Sequence, residues 1–107
     1  MNYINQYDEE SGYTFEIPEI ELPAGVELEE ALLHRSAEIH AALLSALYNG
    51  ITLNLDQVPV FAVKGSDSVV GLPREDFGDR LETSLSYFQA LEEYEICSTL
   101  TALREQL

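Results

Sequence analysis

A chain of 107 residues, 46% of them hydrophobic, fits one domain around one core and is too apolar for disorder to be the expectation. Twenty carboxylates stand against five Lys and Arg, and the formal net charge of −15 exceeds what solubility requires and costs stability through self-repulsion. Such a surface repels nucleic acid and anionic lipid and attracts basic proteins, which argues against direct nucleic-acid binding and against a membrane partner.

Cys97 is the only cysteine, so no disulfide scaffold can form within the chain and a reducing compartment fits. The segment Met1-Asn2-Tyr3-Ile4-Asn5-Gln6-Tyr7-Asp8 has neither the basic start nor the apolar run of a signal peptide, and the apolar stretches are shorter than a membrane span. The expectation is a soluble cytoplasmic protein.

Residues 1–12 include Asp8-Glu9-Glu10-Ser11-Gly12 and few aliphatics, which suggests a mobile acidic arm. Tyr13, Phe15 and Ile17 then alternate with Thr14 and Glu16, and Ile20 and Leu22 with Glu19 and Glu21, the period of a strand with one buried face. Pro18 lacks a ladder donor and predicts an edge strand or a break. After Pro23-Ala24-Gly25 the spacing of Leu28, Leu32, Ile39, Leu43 and Leu47 predicts one long central helix, its apolar face broadened by Leu33, Leu44 and Tyr48. Glu27, Glu29 and Glu30 suit the start of that helix, and Asn49-Gly50 supplies residues able to end it in a left-handed conformation.

Ile51, Leu53 and Leu55 alternate with Thr52 and Asn54, Val58 to Val63 is an apolar run, and Lys64-Gly65-Ser66-Asp67 is a turn from which Val69, Val70 and Leu72 can return. These segments predict a small antiparallel sheet of about three strands. Pro73-Arg74-Glu75-Asp76 starts a helix with Phe77, Leu81, Leu85, Phe88 and Leu91 on one face, and after Glu92-Glu93 a last stripe runs through Tyr94, Cys97, Leu100, Leu103 and Leu107. A helical hairpin over residues 74–107, or one long bent helix, follows. The fold class read from these elements is α+β, a single domain spanning residues 1–107.

Within that hairpin, Leu81-Glu82-x-x-Leu85 followed by Leu91-Glu92-Glu93-Tyr94-Glu95-Ile96-Cys97-Ser98-Thr99-Leu100 resembles the UVR motif, the helical hairpin in subunits of bacterial nucleotide-excision-repair nucleases. Tyr94-Glu95 takes the place of the family's aromatic-Glu pair, Cys97 and Ser98 that of its small alanines, and Leu100 that of its leucine. Thr101-Ala102 stands where the family has Arg-Asp, which removes its polar pairing contacts. The resemblance covers about a quarter of the chain and implies a protein-docking hairpin, with Tyr94, Glu95 and Leu100 as its contact residues.

The residue sets of an enzyme are not found. His34 and His40, six residues apart on one expected helix, would be rotated by about 240° from each other and could not grip a metal together. Cys97 falls on an apolar stripe, the place of a small hydrophobe. Asp8-Glu9-Glu10 lacks the spaced oxygens and turn glycine of a calcium loop, and Gly65, Gly71 and Gly78 form no phosphate loop. No metal or cofactor is expected.

What remains is charge interleaved with aromatics. All nine acids of the first thirty residues precede the first basic residue, Arg35, and lie among Tyr3, Tyr7, Tyr13 and Phe15. The expected function is that of a non-enzymatic acidic protein that docks on a basic protein surface and regulates it, as small phage-encoded inhibitors and toxin-immunity proteins do, with nucleic-acid mimicry as a sharper form. The expected contact residues are Asp8, Glu9, Glu10, Tyr13, Glu16, Glu19, Glu21, Glu27, Glu29 and Glu30. The alternative is an assembly module that forms a homodimer or pairs with another chain through the C-terminal hairpin.

Overall fold

Alternating residues near the N-terminus build two strands instead of one. The computed structural model describes all residues except Met1, Ala24 and Val26. Tyr3–Tyr7 (β1) pairs antiparallel with Thr14–Ile20 (β2), with Tyr3 opposite Pro18 and Tyr7 opposite Thr14. The expected mobile arm is therefore a strand followed by a closed turn. Ser11 Oγ donates to the Asp8 carboxylate at 2.6 Å, the Asp8 N–H donates to the Tyr13 carbonyl at 2.9 Å, and Gly12 takes the positive φ of 79° that closes the bend. An acidic, aliphatic-poor composition suggested mobility; local turn chemistry and strand pairing override it.

Gln57–Val63 (β3) and Val69–Pro73 (β4) complete a four-stranded sheet in the order β1-β2-β3-β4. The sheet is mixed, a correction to the expected antiparallel one of about three strands. β2 and β3 run parallel, and the helical segment between them supplies the crossover that parallel neighbours require. Two prolines limit that ladder. The Glu19 N–H donates to the Asn2 carbonyl at 2.8 Å, so strand alternation turns position 18 toward β3, where proline has no donor. Pro59 removes another donor from β3, and ladder pairing is confined to Glu19 with Ala62 and Ile20 with Val63. β2 is thus an interior strand whose pairing changes hands at Pro18, neither an edge nor broken. A register shift between Pro59 and Phe61 lets Val60, Phe61 and Ala62 all be buried.

The single central helix is two, Leu28–His34 (α1) and Ser36–Thr52 (α2), interrupted at Arg35 with φ −136° and ψ 48°. Neither Pro nor Gly causes the break; Ser36 Oγ hydrogen-bonds back to the Leu32 carbonyl, the side-chain competition that bends helices. Leu33, expected on the core face, is 83% exposed. Of the break at Pro23-Ala24-Gly25, Ala24 lies outside the described residues, and Gly25 has φ 78°.

α2 also runs past Asn49-Gly50. Its left-handed residue is Asn54, φ 56°, whose N–H donates to the Ile51 carbonyl at 3.2 Å while the Leu55 N–H donates to the Gly50 carbonyl at 2.9 Å. That bond pair is a Schellman terminus, and it moves the expected strand start from Ile51 to Gln57.

One 3-10 turn at Arg74–Asp76 leads into Phe77–Ala90 (α3), which is joined to Tyr94–Arg104 (α4). The C-terminal segment is a hairpin, not a bent helix. Glu92, φ 60°, ends α3 with the same bond pattern: its N–H meets the Gln89 carbonyl and that of Glu93 the Phe88 carbonyl, both at 3.0 Å. Phe61, Phe77, Leu43, Leu47, Leu81 and Leu100 are fully buried where sheet, α2 and hairpin meet. The α+β class stands.

Candidate functional site

α2 packs mainly on β3 and α3 and touches β2 less. The flank between them is open. There, β2, the side of α2 and the first turns of α4 enclose a groove of about 600 Å³. β2 contributes Thr14, Phe15 and Glu16, α2 contributes Leu44, Ser45, Tyr48 and Asn49, and α4 contributes Glu95, Ile96 and Thr99. Helical spacing sets the α2 side, because Leu44 and Tyr48 lie four residues apart on the flank next to the core residues Leu43 and Leu47. A cavity of about 310 Å³ shares Glu16, Leu44, Ser45, Asn49 and Ile96 with this groove and reaches Pro18 and Pro59, where the parallel ladder is missing.

Phe15 is buried, Leu44 and Ile96 are half-buried, and Tyr48 is half exposed at 52%, so the groove has an apolar lining with a wet edge. Glu16 and Glu95 are exposed and belong to neither of the two arginine–glutamate pairs that link separate elements nor to Arg35–Glu38. The groove can hold an apolar body of side-chain size beside a positive charge.

The two sequence-derived surfaces meet here. Glu16, from the acidic N-terminal third, and Glu95, from the hairpin, line one groove. The other predicted residues are spread around it. Asp8, Glu9 and Glu10 sit in the β1–β2 turn, where Gln57 Nε2 donates to Glu10 at 3.1 Å, and Tyr13 follows them with its ring 6.1 Å from that of Phe15. Glu19 is half-buried opposite Ala62, Glu21 is exposed beyond β2, and Glu27 precedes α1. Glu30 is exposed, whereas Glu29 pairs with Arg80, whose guanidinium holds the carboxyl below the usual range. Tyr94 is 69% exposed. Leu100 is fully buried in this domain's own core, which corrects its assignment as a contact residue.

Sequence reasoning assigned none of Ser45, Asn49, Ile96 and Thr99 to a contact surface, and it placed Leu44 and Tyr48 on the core face of the helix. The available signal was an apolar arc on α2 wider than one sheet can cover.

The histidines need correction too. The break at Arg35 removes the continuous helix on which their rotation was reckoned; His34 is exposed and His40 is buried. His40 Nδ1 lies 2.9 Å from Ser84 Oγ, and its ring stacks on Tyr87 at 4.0 Å and meets the edge of Phe88 at 6.2 Å. Burial lowers its pKa. Since Ser84 is itself fully buried, the pair ties α2 to α3 inside the core. Cys97 is buried, as its apolar stripe predicts.

Among the described residues, no helix is long and apolar enough to cross a membrane. No protein-family model, curated protein or solved structure matches the chain.

Proposed function

We propose that this is a non-enzymatic acidic protein-binding protein, a small inhibitor or regulator of the phage anti-host or immunity type, that occupies a basic surface of a protein target. The observation that carries this reading is the unspent charge. Among the described residues, seventeen of the twenty carboxylates take part in no ion pair. Arg35, Arg80 and Arg104 are spent on Glu38, Glu29 and Glu82, and Arg74 on the Leu55 carbonyl and the Phe77 ring. Carboxylates left in water at this density steer a cationic partner, and Tyr3, Tyr7 and Tyr13, each about half exposed, add amphipathic contact area beside them.

Nucleic-acid mimicry is the finer form. The longest dimension, 34 Å, matches about one turn of duplex, so a mimic of this size presents about one turn of phosphates. The test is affinity capture from a lysate of the cells that encode the protein, using wild type and a variant with Glu9, Glu10, Glu16 and Glu19 changed to Gln. The reading expects a basic protein retained by wild type at low salt, released by high salt and lost by the variant. Equal retention by both proteins would sink it.

A further inference from the structure

We infer that the groove between β2, α2 and α4 is the anchoring subsite for that target, and that its occupant is a short basic protein segment carrying a bulky apolar side chain next to a Lys or Arg. The inference rests on the protein-binding reading above and adds the point of grip. Exposed charge pairs alone add little affinity and would hold a partner loosely. Affinity concentrates where an anchor enters a concave, apolar pocket, and the groove's volume of about 600 Å³ lies in the range of such sites.

The chemistry of the walls selects the occupant. Phe15, Leu44 and Ile96 offer apolar surface to a Leu- or Phe-sized side chain. Glu16 and Glu95 come from different elements and have no cationic partner among the described residues. A neutral apolar occupant would strip water from both carboxylates without replacing it, whereas an adjacent ammonium or guanidinium offsets that loss. Tyr48 adds an aromatic face at the rim on which a cation can rest. An anionic ligand meets the same carboxylates and the whole field of the protein, and is rejected.

The experiment is a titration of the ¹⁵N-labelled full chain at low salt with two probes, a short alternating Lys–Leu peptide and an oligolysine of equal charge. Wild type is compared with Ser45→Phe, which fills the groove from an exposed position, and with Glu95→Lys on the exposed first turn of α4. The Lys–Leu peptide is expected to shift Phe15, Leu44, Ser45 and Ile96 saturably, and each variant to weaken it by about tenfold or more. Oligolysine should give small shifts spread over the acids that Ser45→Phe leaves unchanged. If both probes give the same diffuse pattern and Ser45→Phe binds like wild type, the groove is not the anchor, while charge-driven binding survives. If neither probe shifts any amide, the protein-binding reading itself falls. Should Ser45→Phe fail to fold, Glu95→Lys carries the same comparison, and unchanged Lys–Leu affinity in it overturns the inference.

Discussion

Gly50 has no room for a methyl group. A Cβ built there lies 2.7 Å from Phe77 Cζ and 3.3 Å from Val58 Cγ1, and the Phe77 ring is fully buried with nowhere to retreat. Gly50→Ala gains about 1 kcal/mol of helix propensity but incurs about 1–3 kcal/mol of overpacking, so it should destabilise the fold. Gly78 in α3 meets nothing within 4 Å, and Gly78→Ala should stabilise by about 0.5–1 kcal/mol. Urea denaturation of both variants checks the pair, and equal shifts would show that the α2–α3 contact is looser than described. His40 sets a second residue-scale expectation. Burial depresses its pKa below the ordinary value of about 6.5, so the folded state binds fewer protons than the unfolded chain. Its contribution is fully present above about pH 6.5 and is lost as pH falls from there through the folded value. The urea midpoint of wild type should drop between about pH 7.5 and 5.5, and His40→Gln should flatten that slope.

At the scale of elements, the β2–β3 seam is where the sheet is weakest, with only Glu19–Ala62 and Ile20–Val63 in its ladder. Even-numbered β2 amides face β3 and odd-numbered ones face β1, and the parallel ladder begins only at Glu19. Hydrogen exchange should therefore be about tenfold or more faster at the Glu16 amide than at Ile17, which pairs with Ile4; equal protection would mean that the seam is closed. The strands β2, β3 and β4, the apolar helix spacing and the hairpin were legible because each is written in local periodicity and turn chemistry, whereas β1 was not, its acidic and aliphatic-poor surroundings reading as an arm. The break at Arg35 was not, since a serine bonding back to Leu32 leaves no Pro or Gly signal. Parallel pairing of β2 with β3 was also hidden: it depends on which strands become neighbours after the crossover, and no local pattern encodes that. Glu16 and Glu95 could be singled out separately in the sequence, but their convergence on one groove is a tertiary fact. The hairpin spends Leu81, Leu85, Leu100 and Leu103 on the domain core, leaving Leu91, Tyr94 and Leu107 as its exposed large hydrophobics.

For the whole molecule, a net charge of −15 on a body of 34 × 31 × 22 Å gives a field that reaches beyond contact distance at low salt and shrinks to about 8 Å at physiological ionic strength. Under the proposed function, electrostatic capture and groove anchoring divide the work: the field would govern how fast a basic partner arrives, and the apolar lining of the groove how long it stays. The most direct measurement is the association rate of the captured partner, followed by stopped flow across salt concentrations from about 0.02 to 0.5 M. An acidic docking protein predicts an association rate that falls by about tenfold or more while dissociation changes little. An association rate independent of salt would contradict the account.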